Sequence, residues 1–66
     1  MEKKVTVTLW EDGETGEFFV DDTGEEFMEQ AGYETSGEAI EDFQGRVDEY
    51  ERLGFIVNKC MPGYLQ

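Results

Sequence analysis

Residues 35–54 read TSGEAIEDFQGRVDEYERLG, a segment long and periodic enough to predict a complete amphipathic helix. Thr35 and Glu38 have the spacing of a capping box, and Gly54 suits a left-handed residue at the helix end. Apolar side chains recur at steps of three and four residues, which places them on one helical face. This stripe, which we expect to pack on a sheet, comprises Ile40, Phe43, Val47 and Tyr50, with Ala39 and Leu53 at its edges.

Gly45 interrupts the helical pattern. A glycine inside a helix costs about 1 kcal/mol relative to alanine, so its presence needs a reason. The simpler interpretation is that a strand or an aromatic ring approaches the helix closely at this position, and the alternative is a functional kink.

Two segments before the helix have the pattern of a β-hairpin. Side chains alternate between two faces in residues 5–10 and again in residues 17–21, which is the period of a half-buried strand. Residues 11–16 contain an Asp-Gly pair and a second glycine, and they predict a loop with positive φ at a glycine. The apolar positions expected on one face are Val5, Val7, Leu9, Phe18 and Val20.

The remaining segments predict a short helix and a third strand. Residues 22–32 contain a capping box formed by Thr23 and Glu26 and end at a glycine, which favours one or two helical turns. Residues 55–61 are typical of a strand that Pro62 and Gly63 terminate. The side chains of the short helix that we expect to face inward are Phe27, Met28 and Ala31.

The predicted fold class is α+β, in the order ββ(α)αβ: an antiparallel hairpin, a short helical turn, one long amphipathic helix and a third strand. A hairpin with a strand beside it and the helix across one face gives a two-layer structure. A chain of 66 residues makes one small domain, residues 1–66.

The composition is strongly acidic. Seventeen Asp and Glu against five Lys and Arg give a formal net charge of −12, whereas roughly 2 to 8 is usual in the design of small domains. Direct binding to nucleic-acid phosphates is excluded as a main activity because it requires a basic surface. A hydrophobic content of 38 % with 14 % aromatic residues indicates a folded domain and not a disordered acidic segment.

No catalytic residue, cofactor or metal site is predicted. The chain has no histidine, and Ser36 belongs to the start of a helix without a base to activate it. Cys60 stands alone in a strand, where a thiol usually behaves as a small buried hydrophobe. The acidic residues around Asp12 and Gly13 do not match a calcium loop in ligand order or in flanking helices.

The sequence also predicts a cytoplasmic protein with no membrane partner. A single cysteine fits a reducing compartment. No run approaches the roughly 20 apolar residues that cross a bilayer, and the first residues lack the features of a secretory signal.

The carboxylates of the hairpin and of the long helix are the candidate binding surface. Six helical carboxylates over about 27 Å give one negative charge per roughly 4.5 Å, close to the roughly 3.4 Å between phosphates along one DNA strand. The alternative is a face that serves only solubility, in which Arg46 and Arg52 form helix pairs with acidic residues four positions earlier. The candidate residues are Glu11, Asp12, Glu14, Glu38, Glu41, Asp42, Asp48 and Glu49.

Trp10, Phe19 and Tyr64 are the candidate aromatic contacts. We expect them to form a patch on the face of the sheet that the helix does not cover. Aromatic side chains inside an acidic rim are typical of a protein-binding surface, and the same patch would also suit a homodimer interface.

In size, charge and α+β pattern the chain resembles the small acidic inhibitors that phages and mobile elements direct against host nucleic-acid enzymes, including anti-restriction proteins, anti-CRISPR proteins and uracil-DNA glycosylase inhibitors. This resemblance implies a DNA mimic acting in the host cytoplasm. The hairpin and the helix start at residues 35–40 are also similar to the HicB-type antitoxin fold. That fold has a further strand before the helix, where this sequence predicts a helical turn.

Two hypotheses about function follow. The first is a non-enzymatic inhibitor or regulator that occupies the basic nucleic-acid-binding site of a partner protein. The second is an assembly module that homodimerises through Trp10 and Phe19, with its charge serving solubility.

Overall fold

The computed structural model describes residues 3–27 and 30–65. These residues form an α+β structure in which one helix packs on a four-stranded mixed sheet. The elements are β1 (Lys4–Glu11), β2 (Phe18–Asp22), β3 (Gln30–Tyr33), α1 (Ser36–Arg52), β4 (Ile56–Cys60) and a 3₁₀ turn (Gly63–Leu65). The strand order is β3-β2-β1-β4, with β1 antiparallel to β2, β2 antiparallel to β3, and β1 parallel to β4.

The hairpin of β1 and β2 follows the alternation of the sequence. Its apolar positions Val5, Val7, Leu9 and Val20 are buried, and Phe18 packs against them. The loop is held by Asp12, whose carbonyl accepts from the Gly16 N–H at 2.8 Å. Gly16 takes the positive φ of 76° that the sequence predicts for one of the loop glycines.

The helical turn predicted for residues 22–32 is wrong. Residues 30–33 form β3, in which Gly32 lies opposite Phe19 and Ala31 opposite Val20. The Thr23 hydroxyl caps no helix, because it accepts a hydrogen bond from the Thr6 N–H of β1 at 3.1 Å. Pairing with β2 has therefore overridden a short helical pattern, as tertiary context commonly does.

The inward positions predicted for that turn have different outcomes. Phe27 and Ala31 are half-buried, and Phe27 packs against the core. Phe27 lies in a bend and Ala31 lies in β3, so neither belongs to a helix. Met28 lies outside the described residues.

α1 is closed at both ends by the predicted caps. The Thr35 hydroxyl accepts from the Glu38 N–H at 3.3 Å and donates to the Glu38 carboxylate at 3.0 Å. At the other end Gly54 has a φ of 92°, and its N–H donates to the carbonyl of Glu51. The Phe55 N–H donates to the Tyr50 carbonyl, which completes a Schellman motif. The rings of Tyr50 and Phe55 supply its apolar contact, 5.1 Å between centroids.

The core lies between α1 and the sheet. Ala39, Phe43, Val47 and Tyr50 of the predicted stripe are buried, whereas Ile40 and Leu53 at its flanks are half-buried. The interpretation of Gly45 as a close approach is wrong, because a Cβ at this position would meet nothing within 4 Å.

Candidate functional site

The structure brings the hairpin and the start of α1 to the same end of the sheet. Phe18 lies opposite both Glu11 in β1 and Tyr33 in β3, so all three mark the hairpin end. α1 begins at Ser36, soon after Tyr33, and runs towards the opposite end of the sheet. There β4 follows it and pairs with the first residues of β1. We call the carboxylates of this end the acidic end: Glu11, Asp12, Glu14, Glu38 and Glu41.

Two further predicted residues lie elsewhere. Asp48 and Glu49 follow Glu41 by about two helical turns, roughly 10 Å along the axis of α1, and so lie nearer the opposite end. Asp48 is exposed. Glu49 accepts two hydrogen bonds from Arg52, which lower the pKa of the Glu49 carboxyl, so this residue is part of an ion pair on the surface.

The carboxylates of the acidic end differ in how they are held. Glu14, Glu38 and Glu41 are exposed, and Glu38 also takes part in the cap of α1. Asp12 is half-buried and accepts from the Glu14 N–H at 2.9 Å inside the hairpin loop. Glu11 accepts a hydrogen bond from the Tyr64 hydroxyl, which raises the pKa of that phenol.

Asp42 does not belong to the exposed acidic surface. Its carboxylate binds Arg46 through Nε at 3.0 Å and Nη2 at 3.3 Å, and it accepts from the Tyr33 hydroxyl at 2.6 Å. The solubility alternative expected a pair of Asp42 and Arg46 on the helix surface, and the pair forms but not on the surface. Instead Arg46 is 2 % exposed and lies against the sheet.

Asp22 completes this buried polar network. Its carboxylate binds Arg46 Nη1 at 2.8 Å and accepts from the Tyr50 hydroxyl at 2.7 Å and the Gly24 N–H at 2.8 Å. The side chain of Asp22 is 1 % exposed. Burial lowers the pKa of Arg46, but its hydrogen bonds to Asp42 and Asp22 raise it by more, so the guanidinium stays charged.

Sequence reasoning missed this network, although one signal was present. Arg46 lies three residues after Phe43 and four before Tyr50, which places it on the buried face of α1. A charged residue on that face needs buried partners of opposite charge. Asp22 could not be identified as one of them without knowing how α1 lies on β2.

The aromatic patch is formed in part. Trp10 and Phe19 lie opposite each other on β1 and β2, and their rings stack with centroids 5.6 Å apart on the helix-free face. The Phe19 ring also covers Gly32, where a Cβ would come within 3.0 Å of it. Tyr64 is 66 % exposed and bonds to Glu11, and among the described ring contacts it touches neither Trp10 nor Phe19.

The basic residues lie away from the acidic end. Lys3, Lys4 and Lys59 are exposed at the start of β1 and in β4, and Lys3 stacks on the Phe55 ring. Residues 53–66 contain no carboxylate side chain at all. With Arg46 buried, the exposed lysines lie at the start of β1 and in β4, whereas exposed carboxylates lie at the acidic end and also at Glu25, Glu26, Asp48 and Glu51.

Cys60 is exposed, contrary to the prediction of a buried thiol. It lies opposite Thr8 on the helix-free face of an edge strand, so neither α1 nor a further described strand covers it.

A shallow hollow of about 420 Å³ opens at the start of α1. It is lined by Tyr33, Glu38, Glu41 and Asp42. Because Asp42 is bound to Arg46 and Tyr33, the exposed carboxylates of Glu38 and Glu41 are the groups that favour a cationic guest here, such as a lysine or arginine side chain of a partner. Within residues 3–27 and 30–65, no cluster of three side chains suited to a metal ion occurs.

Comparisons of the chain with protein-family models, with curated proteins and with solved structures return no match. In the part of the chain that the structure describes, no helix has the length and apolar character needed to cross a membrane.

Proposed function

We propose that this chain is a non-enzymatic inhibitor or regulator that occupies the basic nucleic-acid-binding site of a partner protein. The observation that carries the proposal is the acidic end: exposed carboxylates of the hairpin and of α1 share one end of the sheet, and the exposed lysines lie elsewhere, at the start of β1 and in β4. This arrangement is what a basic cleft would bind in place of a phosphate backbone.

The buried network supports the same function. Arg46 could have neutralised part of the helix surface, but it binds Asp22 and Asp42 inside the protein. The outward positions of α1 therefore keep Glu41 and Asp48 exposed. The hollow at Tyr33 and Glu38 would receive a basic side chain of the partner. In this proposal the protein acts in the cytoplasm of a host cell, as phage and mobile-element inhibitors do.

The test is capture of partners from host lysate on the immobilised protein, followed by elution with salt and with duplex DNA or RNA. We expect the captured protein to bind nucleic acid. Salt should displace it because salt screens exposed charges, and duplex DNA or RNA should displace it by competing for the same site. The double variant Glu38→Gln/Glu41→Gln should weaken capture. Glu25→Gln/Glu26→Gln is the matched control, since it removes two exposed carboxylates from the bend near Thr23, away from the acidic end.

Equal capture by both double variants would refute the proposal. So would a partner that nucleic acid does not displace.

The stacked Trp10 and Phe19 favour a second candidate, an assembly module that dimerises through the helix-free face of the sheet. A salt-insensitive complex that Trp10→Ala abolishes would support this candidate over the first.

A further inference from the structure

β4 presents an open hydrogen-bonding edge. It is the last strand of the sheet order and pairs with β1 on one side, with no other described strand beyond it. The Ile56 N–H donates to the Lys3 carbonyl at 2.7 Å, so the backbone of Ile56 points towards β1. Because backbone direction alternates along a strand, Val57 and Lys59 point their N–H and C=O groups to the open side. The edge therefore offers four backbone groups.

This edge lacks several of the usual protections against pairing with another chain, since no proline, bulge or covering element blocks it among the described residues. β4 contains no proline and one charged residue, Lys59, and the Ile56 side chain is 53 % exposed. The strand is also regular, since all five of its residues are in register with β1.

Charge decides which occupant fits. Two copies of a chain with a net charge of −12 repel each other over most of their surface. The β4 side is less acidic, because residues 53–66 carry no carboxylate side chain and Lys3, Lys4 and Lys59 lie there, with Asp48 and Glu51 of α1 as the neighbouring carboxylates. A second copy can approach this edge with its acidic end turned away.

The helix side of the edge adds complementary charge. A hollow of about 260 Å³ lies between α1 and Lys59 of β4, and its lining residues are Phe43, Gln44, Val47, Asp48, Glu51 and Lys59. Val57 and Lys59 share the helix side of the sheet, as their register with Val5 and Val7 requires. The same two side chains of a second β4 would therefore face this hollow, where Asp48 and Glu51 can receive the incoming lysine.

We propose that β4 pairs antiparallel with β4 of a second copy, about a two-fold axis at Asn58. With Val57 opposite Lys59 of the second copy, all four outward backbone groups are used and four hydrogen bonds form. Ile56 then lies opposite Cys60 of the second copy in a non-hydrogen-bonded pair on the helix-free face. The dimer has one continuous sheet with both α1 helices on the same side.

This proposal is independent of the proposed function, because the β4 edge lies apart from the acidic end. It also differs from a dimer through Trp10 and Phe19, which would stack two sheets face to face.

The register can be tested by disulfide trapping of Ile56→Cys. In the proposed pair the two Cα atoms are about 4.5 Å apart, within the range that a disulfide spans. Oxidised glutathione would take two electrons and two protons from the introduced thiol and Cys60 of the second copy, forming their S–S bond. We expect a covalent dimer of Ile56→Cys on a non-reducing gel.

Two controls bracket this result. In the wild-type dimer the two Cys60 residues are four positions apart along the paired strands, about 13 Å, so oxidation should leave the chains unlinked. Ile56→Cys/Cys60→Ser has the same separation and should also remain unlinked. Linkage of the wild type, or no linkage of Ile56→Cys, would overturn the proposed register.

Lys59→Pro tests the intermolecular hydrogen bonds together with the contact of the Lys59 side chain with Asp48 and Glu51 of the second copy. The Lys59 N–H points to the open edge, so proline removes two of the four intermolecular bonds without breaking the ladder to β1. We expect sedimentation equilibrium to give a dimer dissociation constant at least about tenfold higher than that of the wild type, with an unchanged circular dichroism spectrum. Trp10→Ala should leave the dissociation constant unchanged. A monomeric wild type at submillimolar concentration, or an unaffected dimer of Lys59→Pro, would refute the pairing.

Discussion

Arg46 is the residue whose environment in the structure differs most from the one that the sequence pattern predicts. It lies on the buried face of α1, where one guanidinium binds two carboxylates that approach from different elements, Asp22 of β2 and Asp42 of α1. Tyr33 and Tyr50 each donate to one of these carboxylates. Burying charges costs several kcal/mol per ion, and such a cost is offset when the polar atoms have partners.

We expect Arg46→Met to destabilise the fold by about 3 to 5 kcal/mol, because it leaves two carboxylates without their cation in a buried site. That loss approaches the whole stability of a small domain, at the low end of about 5 to 15 kcal/mol. Urea unfolding followed by circular dichroism measures it. The matched control is Arg52→Met, since Arg52 is exposed and its pair with Glu49 is on the surface, and it should unfold close to the wild type. Equal stability of the two variants would contradict the structural role of Arg46.

The tyrosines of the network predict how stability falls in alkali. The hydrogen bond to Asp42 and burial raise the pKa of Tyr33, and burial and the hydrogen bond to Asp22 raise the pKa of Tyr50. Groups with raised folded pKa values contribute stability that is complete below their unfolded pKa of about 10 and is lost as pH rises through the folded value.

Urea midpoints measured from about pH 8 to about pH 11 should therefore fall above pH 10, and less steeply for Tyr33→Phe than for the wild type. Titration of tyrosinate absorbance should show Tyr33 and Tyr50 ionising at a higher pH than the tyrosines of the same chain unfolded in urea. If both tyrosines ionise at the same pH in the folded and the unfolded chain, the hydrogen bonds assigned to them are wrong.

At the scale of elements, α1 and β3 differ in what holds them. α1 has its own start and stop signals, Thr35 and Gly54, and an apolar stripe between them. β3 has four residues that β2 must hold in place, and the Thr23 that resembled a helix cap serves β1 instead. Long elements with their own caps can therefore be predicted locally, whereas short ones depend on their neighbours.

Replacement by alanine should change the stability of the fold in opposite directions at Gly45, inside α1, and at Gly54, just after its end. Gly45→Ala should stabilise the fold by about 1 kcal/mol, because Gly45 is exposed, helical and has open space where a Cβ would lie. Gly54→Ala should destabilise it by about 1 kcal/mol or more, since Gly54 has a φ of 92°. Thermal unfolding of both variants beside the wild type measures the pair. A fall in melting temperature for Gly45→Ala would indicate that the glycine is needed for a kink or a contact.

At the scale of the whole molecule, the topology separates the charges. The antiparallel β1–β2 loop and the start of α1 meet at one end, and the parallel return of β4 places Lys59 opposite Val7 and Ile56 opposite Lys4 of β1. The protein thus has an acidic end and an edge strand, β4, that carries no carboxylate side chain of its own. The first supports binding to a basic partner, and the second supports pairing of β4 with a second copy, which would place two α1 helices on one face.

Part of the candidate site could be predicted from local patterns, and part could not. Glu14, Glu38, Glu41 and Asp48 are exposed as polar loop and helix positions usually are. Asp42 and Cys60 were assigned the wrong environment. Whether each is covered depends on elements distant in sequence: the β2 carboxylate that shares Arg46 with Asp42, and the absence of a described strand beyond β4 beside Cys60.

The sequence by itself determined α1 with its caps, the alternation of β1 and β2, and the net charge, because each depends on residues within a few positions of one another or on composition alone. The tertiary structure decided that residues 30–33 form a strand, that β4 runs parallel to β1, and that Asp22, Asp42 and Arg46 share one buried network. These features depend on contacts between residues far apart in the chain, and no local pattern contains that information.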